Sequence, residues 1–195
     1  MKLKNIFTKY LKKFSKNNNF IMHRTSSVRD SGEILNFSQN KENIKIGKNS
    51  IIKGRLIVFA HSGKIEIGDD TIINHNVEIW SAKHIFIGSR VQIGHNSNII
   101  DTDAHPIDSK LRHEHLKEIL TKGFNSDKES NINKNIRSTE IVIKDDSWIG
   151  IGSFIQRGVT VEKEAIVSPM SYVIEDVPKK SVVFGNPAKI LKYYK

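Results

Sequence analysis

One short segment, DTDAHPID at residues 101–108, carries a histidine that could take part in proton transfer. A neutral imidazole has an ordinary pKa of about 6.5, so His105 could accept a proton near neutral pH and later return it. Asp101 and Asp103 could orient the ring or stabilise its cation. The two aspartates could equally be turn residues with solvated carboxylates. An isolated His–Pro pair is itself most often a surface turn. The place of His105 in the fold therefore decides whether it does chemistry.

Two further segments carry side chains suited to binding a polar ligand. Asn74, in IINHNVEIW, has an amide that can donate to one hydroxyl group and accept from another, and His75 lies beside it. Trp148, in DDSWIG, has a flat ring that could cover a ligand. The alternatives are turn chemistry for Asn74 and packing between subunits for Trp148. Trp80 is a weaker candidate of the same kind.

The sequence predicts no metal site. Cysteine is absent, which excludes disulfides, thiolate metal sites and a cysteine nucleophile. His113, Glu114 and His115 are consecutive, but alternating residues on a helix do not share a face. No further set of ligands accompanies them.

A six-residue repeat of branched aliphatic residues indicates the elements that must position these side chains. In the second half of the chain it falls at Ile143, Ile149, Ile155, Val161, Val167 and Val173. Neither a helix, with its period of 3.6, nor a lone strand, with its period of two, produces it. The residue four places after each aliphatic is small or short, which suits a chain that turns every six residues. Three such sides close an 18-residue triangular coil, and coils stack as parallel strands about 4.8 Å apart.

The same repeat occurs earlier and sets the expected domain boundaries. It is found at Ile46, Ile52, Val58, Ile67, Ile73, Ile79, Ile87, Ile93 and Ile99. We therefore expect a β-helix domain over 44–178, interrupted by a polar loop over 104–140 with a short helix around Leu111–Leu120. Residues 1–43 are expected to be an N-terminal helical or capping segment, and 179–195 a C-terminal tail.

Charge and hydropathy narrow the partners and the location. The net charge is +10 and the isoelectric point is near 9.7, which favours anionic partners. The basic N-terminal segment could cap the first coil or dock on a membrane surface or a polyanion. No run of about 18 apolar residues is present, and the N-terminus lacks the apolar stretch of a secretory signal. We expect a cytoplasmic protein, which would lie peripherally at the inner face of the membrane if the N-terminal segment docks there.

The repeat, the run WIGIGSFIQRGVTV and the closing VPKKSVVFGNPAKILK resemble the hexapeptide-repeat acyltransferases. Within them the chain is most similar to the branch of galactoside, maltose and bacterial polysaccharide O-acetyltransferases. The resemblance covers about 44–105 and 141–192. It implies an all-β fold, a left-handed parallel β-helix of hexapeptide repeats, and a homotrimer with active sites between protomers. Handedness comes from the resemblance alone, because periodicity does not supply it.

The resemblance also implies roles for individual residues on the acceptor side. His105 matches the catalytic histidine of the family, which is likewise often followed by proline. Asn74 matches an asparagine that binds the acceptor, Trp148 matches a tryptophan of the active-site cleft, and His75 could face the acceptor. This chain has one residue more before the histidine than close sugar acetyltransferases, which leaves the roles of Asp101 and Asp103 open.

On the cofactor side the resemblance implies a groove for acetyl-CoA, the co-substrate. Its pantetheine arm would lie along Ile151, Pro169 and Ile174, and its phosphates would meet Lys189 and Lys192. Both are lysine here, so the bidentate grip of an arginine is missing. Glu175 is a second departure, because relatives carry a lysine at this position.

The resemblance therefore implies an acetyl-CoA-dependent O-acetyltransferase that modifies a sugar hydroxyl, with no metal and no nucleic-acid partner. The acceptor would be a bacterial surface polysaccharide, such as a sialylated capsule or lipopolysaccharide, or its precursor. The alternatives are an N-acetyltransferase of a nucleotide-linked amino sugar and an antibiotic acetyltransferase. A non-catalytic scaffold that binds polyanions is the alternative from another class.

Overall fold

The computed structural model describes residues 19–123 and 130–195, and short strands dominate both ranges. In chain order they are β1 (Ile21–Met22), β2 (Ser27–Val28), β3 (Glu33–Asn36), β4 (Ile44–Ile46), β5 (Ile51–Ile52), β6 (Arg55–Val58), β7 (Ile65–Ile67), β8 (Ile72–Ile73), β9 (Glu78–Ser81), β10 (Ile85–Ile87), β11 (Gln92–Ile93), β12 (Asn98–Ile100), β13 (Ile141–Ile143), β14 (Trp148–Ile149), β15 (Phe154–Gln156), β16 (Thr160–Val161), β17 (Ile166–Val167), β18 (Tyr172–Val173), β19 (Ser181–Gly185) and β20 (Ala188–Tyr193). The helix α1 spans Ser109–Lys122, and 3-10 turns occur at Lys41–Asn43 and Asn131–Asn135.

Consecutive strands go to three different sheets, so the chain winds as a three-sided coil. Sheet A has the order β1-β4-β7-β10-β13-β16, sheet B begins β2-β5-β8-β11-β14-β17, and sheet C, read from its other end, is β3-β6-β9-β12-β15-β18. Within these three sets every pairing is parallel. In the part of the chain that the structure describes, six coils are therefore stacked in register. This is the predicted parallel β-helix.

The aliphatic residues of the repeat fill the interior of the coil. On sheet B, Ile52, Ile73 and Ile93 are fully buried and pair in register with one another and with Ile149. Several of the residues four places later are buried serines or a threonine whose hydroxyl groups bond to the neighbouring coil, namely Ser50, Thr71, Ser97, Ser147 and Ser153. Ser97 Oγ, for example, donates to the carbonyl oxygen of Gly150 at 3.0 Å. The aliphatic residues of the repeat thus form the core, and its hydroxyl-bearing residues satisfy backbone carbonyl groups at the corners.

The β-helix begins earlier than the expected boundary at residue 44. Strands β1, β2 and β3 pair with β4, β5 and β6, so 21–36 form a complete first coil. Met22, Val28 and Ile34 are spaced six apart and pack against the core only partly buried. Their exposure follows from their place at the end of the stack. The part of the expected N-terminal helical or capping segment that precedes residue 19 lies outside the described residues.

One interior position differs from the predicted repeat. Leu56, four residues after Ile52, pairs with Ile79 on the inner face of sheet C. Val58 is buried two places further along, opposite Ser81. The corner of the second coil, at Gly54, is therefore two residues shorter than the corresponding corner of the third coil.

The loop leaves the β-helix after β12 and returns before β13 through a short antiparallel stem. Thr102 and Ser138 form an antiparallel bridge, and Asp103 N–H donates to the carbonyl oxygen of Arg137 at 2.9 Å. Helix α1 confirms the helix expected around Leu111–Leu120 and is somewhat longer. None of the helices among the described residues is long and apolar enough to cross a membrane.

The C-terminal segment extends sheet B. Strand β19 pairs in parallel with β17, and β20 folds back on β19 as an antiparallel hairpin. The segment predicted as a C-terminal tail therefore forms the edge of sheet B.

Candidate active site

His105 lies at the corner between sheets C and A, where the fourth coil opens into the loop. Its backbone N–H donates to the carbonyl oxygen of Asp103 at 2.7 Å, across a turn in which Ala104 has a positive φ of 60°. Its ring is exposed to solvent. The histidine therefore stands at the one break in the stack of coils, with its side chain accessible to a substrate.

The partner of the His105 ring is a second histidine from the loop. The Nδ1 atoms of His105 and His115 are 3.2 Å apart, and the two rings meet edge to face with centroids separated by 5.1 Å. Burial and the neighbouring His105 lower the pKa of His115, and Glu118 partly opposes that change. Burial also lowers the pKa of His61, with a smaller contribution from His115. Three imidazoles thus share this corner.

Asp101 does not touch the histidine ring, because its side chain points into the prism and is fully buried. Its carboxylate accepts hydrogen bonds from Ser81 Oγ (2.7 Å), Ala82 N–H (2.7 Å) and Lys83 N–H (3.0 Å). Burial raises the pKa of Asp101, and these donors oppose the rise. The chain leaves the β-helix for the loop at this corner of the fourth coil. The Asp101 carboxylate therefore supplies the acceptor for the N–H groups of Ala82 and Lys83 in the third coil.

Asp103 does not touch the ring either, because two arginines occupy its carboxylate. Arg157 Nε donates to Oδ1 at 2.6 Å and Arg137 Nε donates to Oδ2 at 2.7 Å. Burial alone would raise the pKa of Asp103, but these two arginines outweigh it and hold the pKa below its ordinary value. The predicted orienting role through either carboxylate thus has no contact to support it. The six-residue repeat carried no signal for Arg137, Arg157 or His115 as neighbours of this site.

The candidate acceptor residues lie elsewhere on the prism. Asn74 and His75 form the corner between sheets B and C, where Asn74 Nδ2 donates to the carbonyl oxygen of Ile93 at 2.9 Å. His75 stacks on His95 with centroids 5.4 Å apart, and its Nε2 is 3.0 Å from Asp30 Oδ2. Both side chains are thus engaged with neighbouring coils, which agrees with the turn chemistry that was the alternative for Asn74.

Trp148 stands on the outer face of sheet B with its side chain half exposed. It pairs in register with Gln92 on one side and Ile166 on the other. Trp80 differs, since it is less exposed on sheet C and its Nε1 donates to Glu78 Oε2 at 2.8 Å. Trp148 is therefore the tryptophan available to a ligand or to another protomer.

Within one chain, His105 and Trp148 cannot face the same cleft. Sheet B runs between the A/B and B/C corners, whereas His105 occupies the C/A corner, the only one that sheet B does not reach. A cleft that contains both side chains needs His105 from one chain and Trp148 from another. The same holds for Asn74 and His75, which lie at the B/C corner.

The predicted cofactor residues fall into two groups. Ile151 is half exposed at the B/C corner of the fifth coil, and Pro169 is exposed at the same corner of the sixth. Ile174 follows β18 at the other end of sheet C, beside Glu175, whose Oε1 is 2.8 Å from Lys189 Nζ. The ammonium group of Lys189, which the resemblance predicts to meet a phosphate, is thus paired with the carboxylate of Glu175. Lys192 is exposed on β20.

Across the described residues, 19–123 and 130–195, no group of three or more histidine, aspartate or glutamate side chains is arranged to hold a metal ion. This includes the neighbourhood of His113, Glu114 and His115. Only His115 of these three turns toward the coil, since it is half buried and the other two are exposed.

No family model matches the chain, but individual relatives do. A galactoside O-acetyltransferase of Lactococcus lactis is 26% identical over 146 residues, which are 75% of this chain and 61% of that protein. A relative of Escherichia coli, with the provisional name colanic acid biosynthesis acetyltransferase WcaF, is 25% identical over 148 residues, 76% of this chain and 68% of that one. The chain spans 56% to 61% of the length of three of its curated relatives.

Solved structures establish the fold class. The hexapeptide-repeat acetyltransferase VCA0836 of Vibrio cholerae, in complex with acetyl-CoA, superposes with a TM-score of 0.54 at 21% identity and covers 100% of this chain and 80% of its own. The N-acyltransferase AntD of Bacillus cereus, in complex with dTDP and 3-hydroxybutyryl-CoA, gives 0.64 at 19% identity, with 96% and 88% covered. The chain is thus a left-handed parallel β-helix with the fold of the hexapeptide-repeat acetyltransferases. Its sequence relatives are named acetyltransferases, and galactoside O-acetyltransferases are among them.

Proposed function

We propose that the protein transfers an acetyl group from acetyl-CoA to a hydroxyl group of a sugar, with His105 as the general base. One observation carries the proposal. The His105 ring is exposed at the break in the coil, its Nδ1 is engaged by His115, and no residue that the structure describes forms a hydrogen bond to its Nε2. A base in this state can accept a proton from an incoming hydroxyl group.

The proposed reaction is a direct attack on the thioester. Nε2 of His105 removes the hydroxyl proton as the acceptor oxygen bonds to the acetyl carbonyl carbon. The tetrahedral intermediate then expels the sulfur, and the imidazolium returns the proton to it, which gives free coenzyme A and the acetyl ester. Backbone N–H groups of a neighbouring coil would stabilise the oxyanion. No acyl-enzyme is involved.

The same proposal includes a homotrimer whose sites lie between protomers. His105 would come from one protomer, and the partner would supply Trp148, Asn74 and His75 from sheet B and the B/C corner. The placement of these residues on different sides of one prism supports this arrangement, because a closed ring of identical subunits brings unlike faces together. Ile151 and Pro169 would line the pantetheine groove.

Replacing His105 with alanine tests the role of the base. We expect the H105A variant to lose at least about 100-fold in coenzyme A release, since general-base catalysis contributes about 10²–10⁴-fold in rate. Free thiol is measured against a panel of sugars that includes galactosides, sialosides and uronates, and each acceptor is tested with acetyl-CoA.

H113A is the matched control, because His113 lies exposed on α1 and His115 is the residue of this helix that contacts the His105 ring. It should keep wild-type activity. Light scattering and circular dichroism on both variants show whether assembly and fold are retained. If H105A keeps its activity in a folded state, His105 is not the base.

An N-acyltransferase is the second candidate, since AntD, which is named an N-acyltransferase, has the same fold. A free amine needs less help from a base than a hydroxyl group, so this function predicts weak dependence on His105. Amino sugars and hydroxyl-only sugars, offered in parallel to wild type and H105A, separate the two functions. Transfer to an amine at a rate that survives H105A would replace the O-acetyltransferase proposal.

The proposed acceptor is a bacterial surface polysaccharide or its precursor. Two features support this class: the relative named for colanic acid biosynthesis and the net charge of +10, which suits an anionic acceptor. The acetyl-CoA co-substrate favours a cytoplasmic location. Antibiotic acetylation would show as resistance when the protein is expressed in a susceptible host.

A further inference from the structure

We propose that His115, on the inserted helix α1, positions His105 for catalysis by accepting a hydrogen bond from its Nδ1–H. This inference rests on the proposed function, in which His105 is the base, and adds a residue to it. The hydrogen bond would keep the proton of the neutral His105 ring on Nδ1 and the lone pair on Nε2. His115 is thus a positioning residue and touches no substrate.

The need for such a partner follows from the two forms of a neutral imidazole. One nitrogen carries the proton and the other carries the lone pair, and the hydrogen bond at one nitrogen selects the form. A His105 that carries its proton on Nε2 cannot take a proton from a hydroxyl group at that atom. Serine-type catalytic triads meet this requirement with an aspartate bonded to Nδ1.

In this chain both nearby aspartates are committed to other donors. Asp101 is buried in the prism, where it accepts from Ser81, Ala82 and Lys83. Asp103 accepts from Arg137 and Arg157. His115 is the group that the structure brings to the ring, with the two Nδ1 atoms 3.2 Å apart.

The charge state of His115 suits the role of acceptor. Burial and the nearby His105 lower the pKa of His115 below 6.5, although Glu118 opposes the change. His115 is therefore neutral at pH 7 and has one lone pair to offer. The pKa of His61 is lowered by its own burial and to a smaller extent by His115, so His61 adds little positive charge to the corner.

Local structure places His115 where the contact needs it. Leu111, His115, Glu118 and Ile119 are the half-buried residues of α1 in this part of the helix, and their spacing puts them on one helical face. Asp108 fixes the start of the helix, because its Oδ1 accepts from the N–H groups of Lys110 and Leu111 at 3.0 and 2.9 Å. Helix α1 would thus hold His115 against the ring of His105.

The direct test is the protonation pattern of the two rings. Long-range proton–nitrogen spectra of the full-length protein, labelled with ¹⁵N-histidine, distinguish the Nδ1–H form from the Nε2–H form at pH 8. H105Q and H115Q assign the two signals. We expect His105 in the Nδ1–H form in wild type and in H113A, and a mixture of both forms in H115A. The Nε2–H form of His105 in wild type would overturn the proposal.

The kinetic test compares three substitutions. We expect H115A to lower kcat by about 10- to 100-fold, within the contribution of a general base, with less than a twofold change in KM for acetyl-CoA. H115Q should recover part of the loss, because its amide oxygen can accept the same hydrogen bond. H113A should match wild type.

The outcomes separate this inference from the proposed function. If H105A is inactive and H115A is fully active, His115 has no positioning role while the proposed function stands. If wild type releases no thiol with any acceptor, the proposed function fails, and the ring spectra still decide whether His115 sets the form of His105. Thermal melts show whether H115A is folded, and H115Q decides the matter if it is not.

Discussion

At the residue scale, Asp103 connects three parts of the chain through one carboxylate and its backbone. Its carboxylate binds Arg157 of the fifth coil and Arg137 of the returning segment. Its carbonyl oxygen accepts the N–H of His105 at 2.7 Å, and its own N–H donates to Arg137. An aspartate expected to act on the imidazole directly thus supports the backbone on which the imidazole stands.

The variant D103N should lose about 1–3 kcal/mol in free energy of unfolding at pH 7, because hydrogen bonds to charged partners contribute about that much. The pKa of Asp103 is lowered in the folded state, so its stabilisation is fully present above the ordinary value of 3.8. It is lost as the pH falls through the lower, folded value. Urea unfolding between pH 3 and pH 8 measures the difference from wild type.

The exposed pair of Glu42 and Lys45 supplies the control, since Nζ and Oε2 lie 3.2 Å apart on the surface. E42Q should change the free energy of unfolding by less than about 0.5 kcal/mol. A D103N difference that disappears between pH 8 and pH 5 would contradict the stabilising role of the Asp103 carboxylate.

At the element scale, the sequence predicted the strands and the core, which repeat along the chain. It did not predict the contacts between side chains that are distant in sequence. The six-residue spacing reflects the length of one side of the coil, so the sheets and the buried ladder could be predicted. The first coil was not predicted because Met22 is unbranched, which leaves only Val28 and Ile34 as branched members of the repeat in this coil. The contact between His105 and His115, and that between Asp103 and Arg157, form across the loop and follow no period. The position of His105 at the break was therefore predictable, and its partners were not.

The N-cap of α1 offers a test of how the helix supports the site. D108A removes the acceptor for Lys110 N–H and Leu111 N–H and should cost about 1 kcal/mol of local stability. Amide hydrogen exchange in the first turn of α1 should accelerate about fivefold, and kcat should fall because His115 lies on this helix. D108S keeps a capping oxygen and should remain close to wild type in both measurements. Unchanged exchange in D108A would show that the cap does not hold the helix.

At the scale of the whole molecule, the proposed site is incomplete in a single chain. His105 lies at the C/A corner, and Trp148 lies on sheet B, which does not reach that corner. The proposed trimer resolves this, because each of its three interfaces can join the corner of one chain to the face of the next. Assembly and activity are then inseparable.

Mixing two inactive variants tests this arrangement. On its own, H105A should lose at least about 100-fold in thiol release, and W148A, which removes a side chain of the proposed cleft, at least about 10-fold. In trimers formed from an equal mixture, about a quarter of the interfaces join an intact His105 to an intact Trp148, so activity should return to about a quarter of wild type. A mixture of H105A with the double variant H105A/W148A cannot form an intact site and should stay inactive. No recovery in well-mixed trimers would exclude a site shared in this way.

The coils before and after the loop meet in perfect register: Ile87 pairs with Ile143, Ile93 with Ile149 and Ile99 with Ile155. The stem from Asp101 to Asp103 and from Arg137 to Thr139 closes the excursion at its base, so the ladder continues as though nothing had been inserted. Pairing of the coils therefore places no constraint on the length of the segment between them, whereas His115 on α1 ties one part of that segment to the proposed site. A change in loop length away from α1 should leave the β-helix intact.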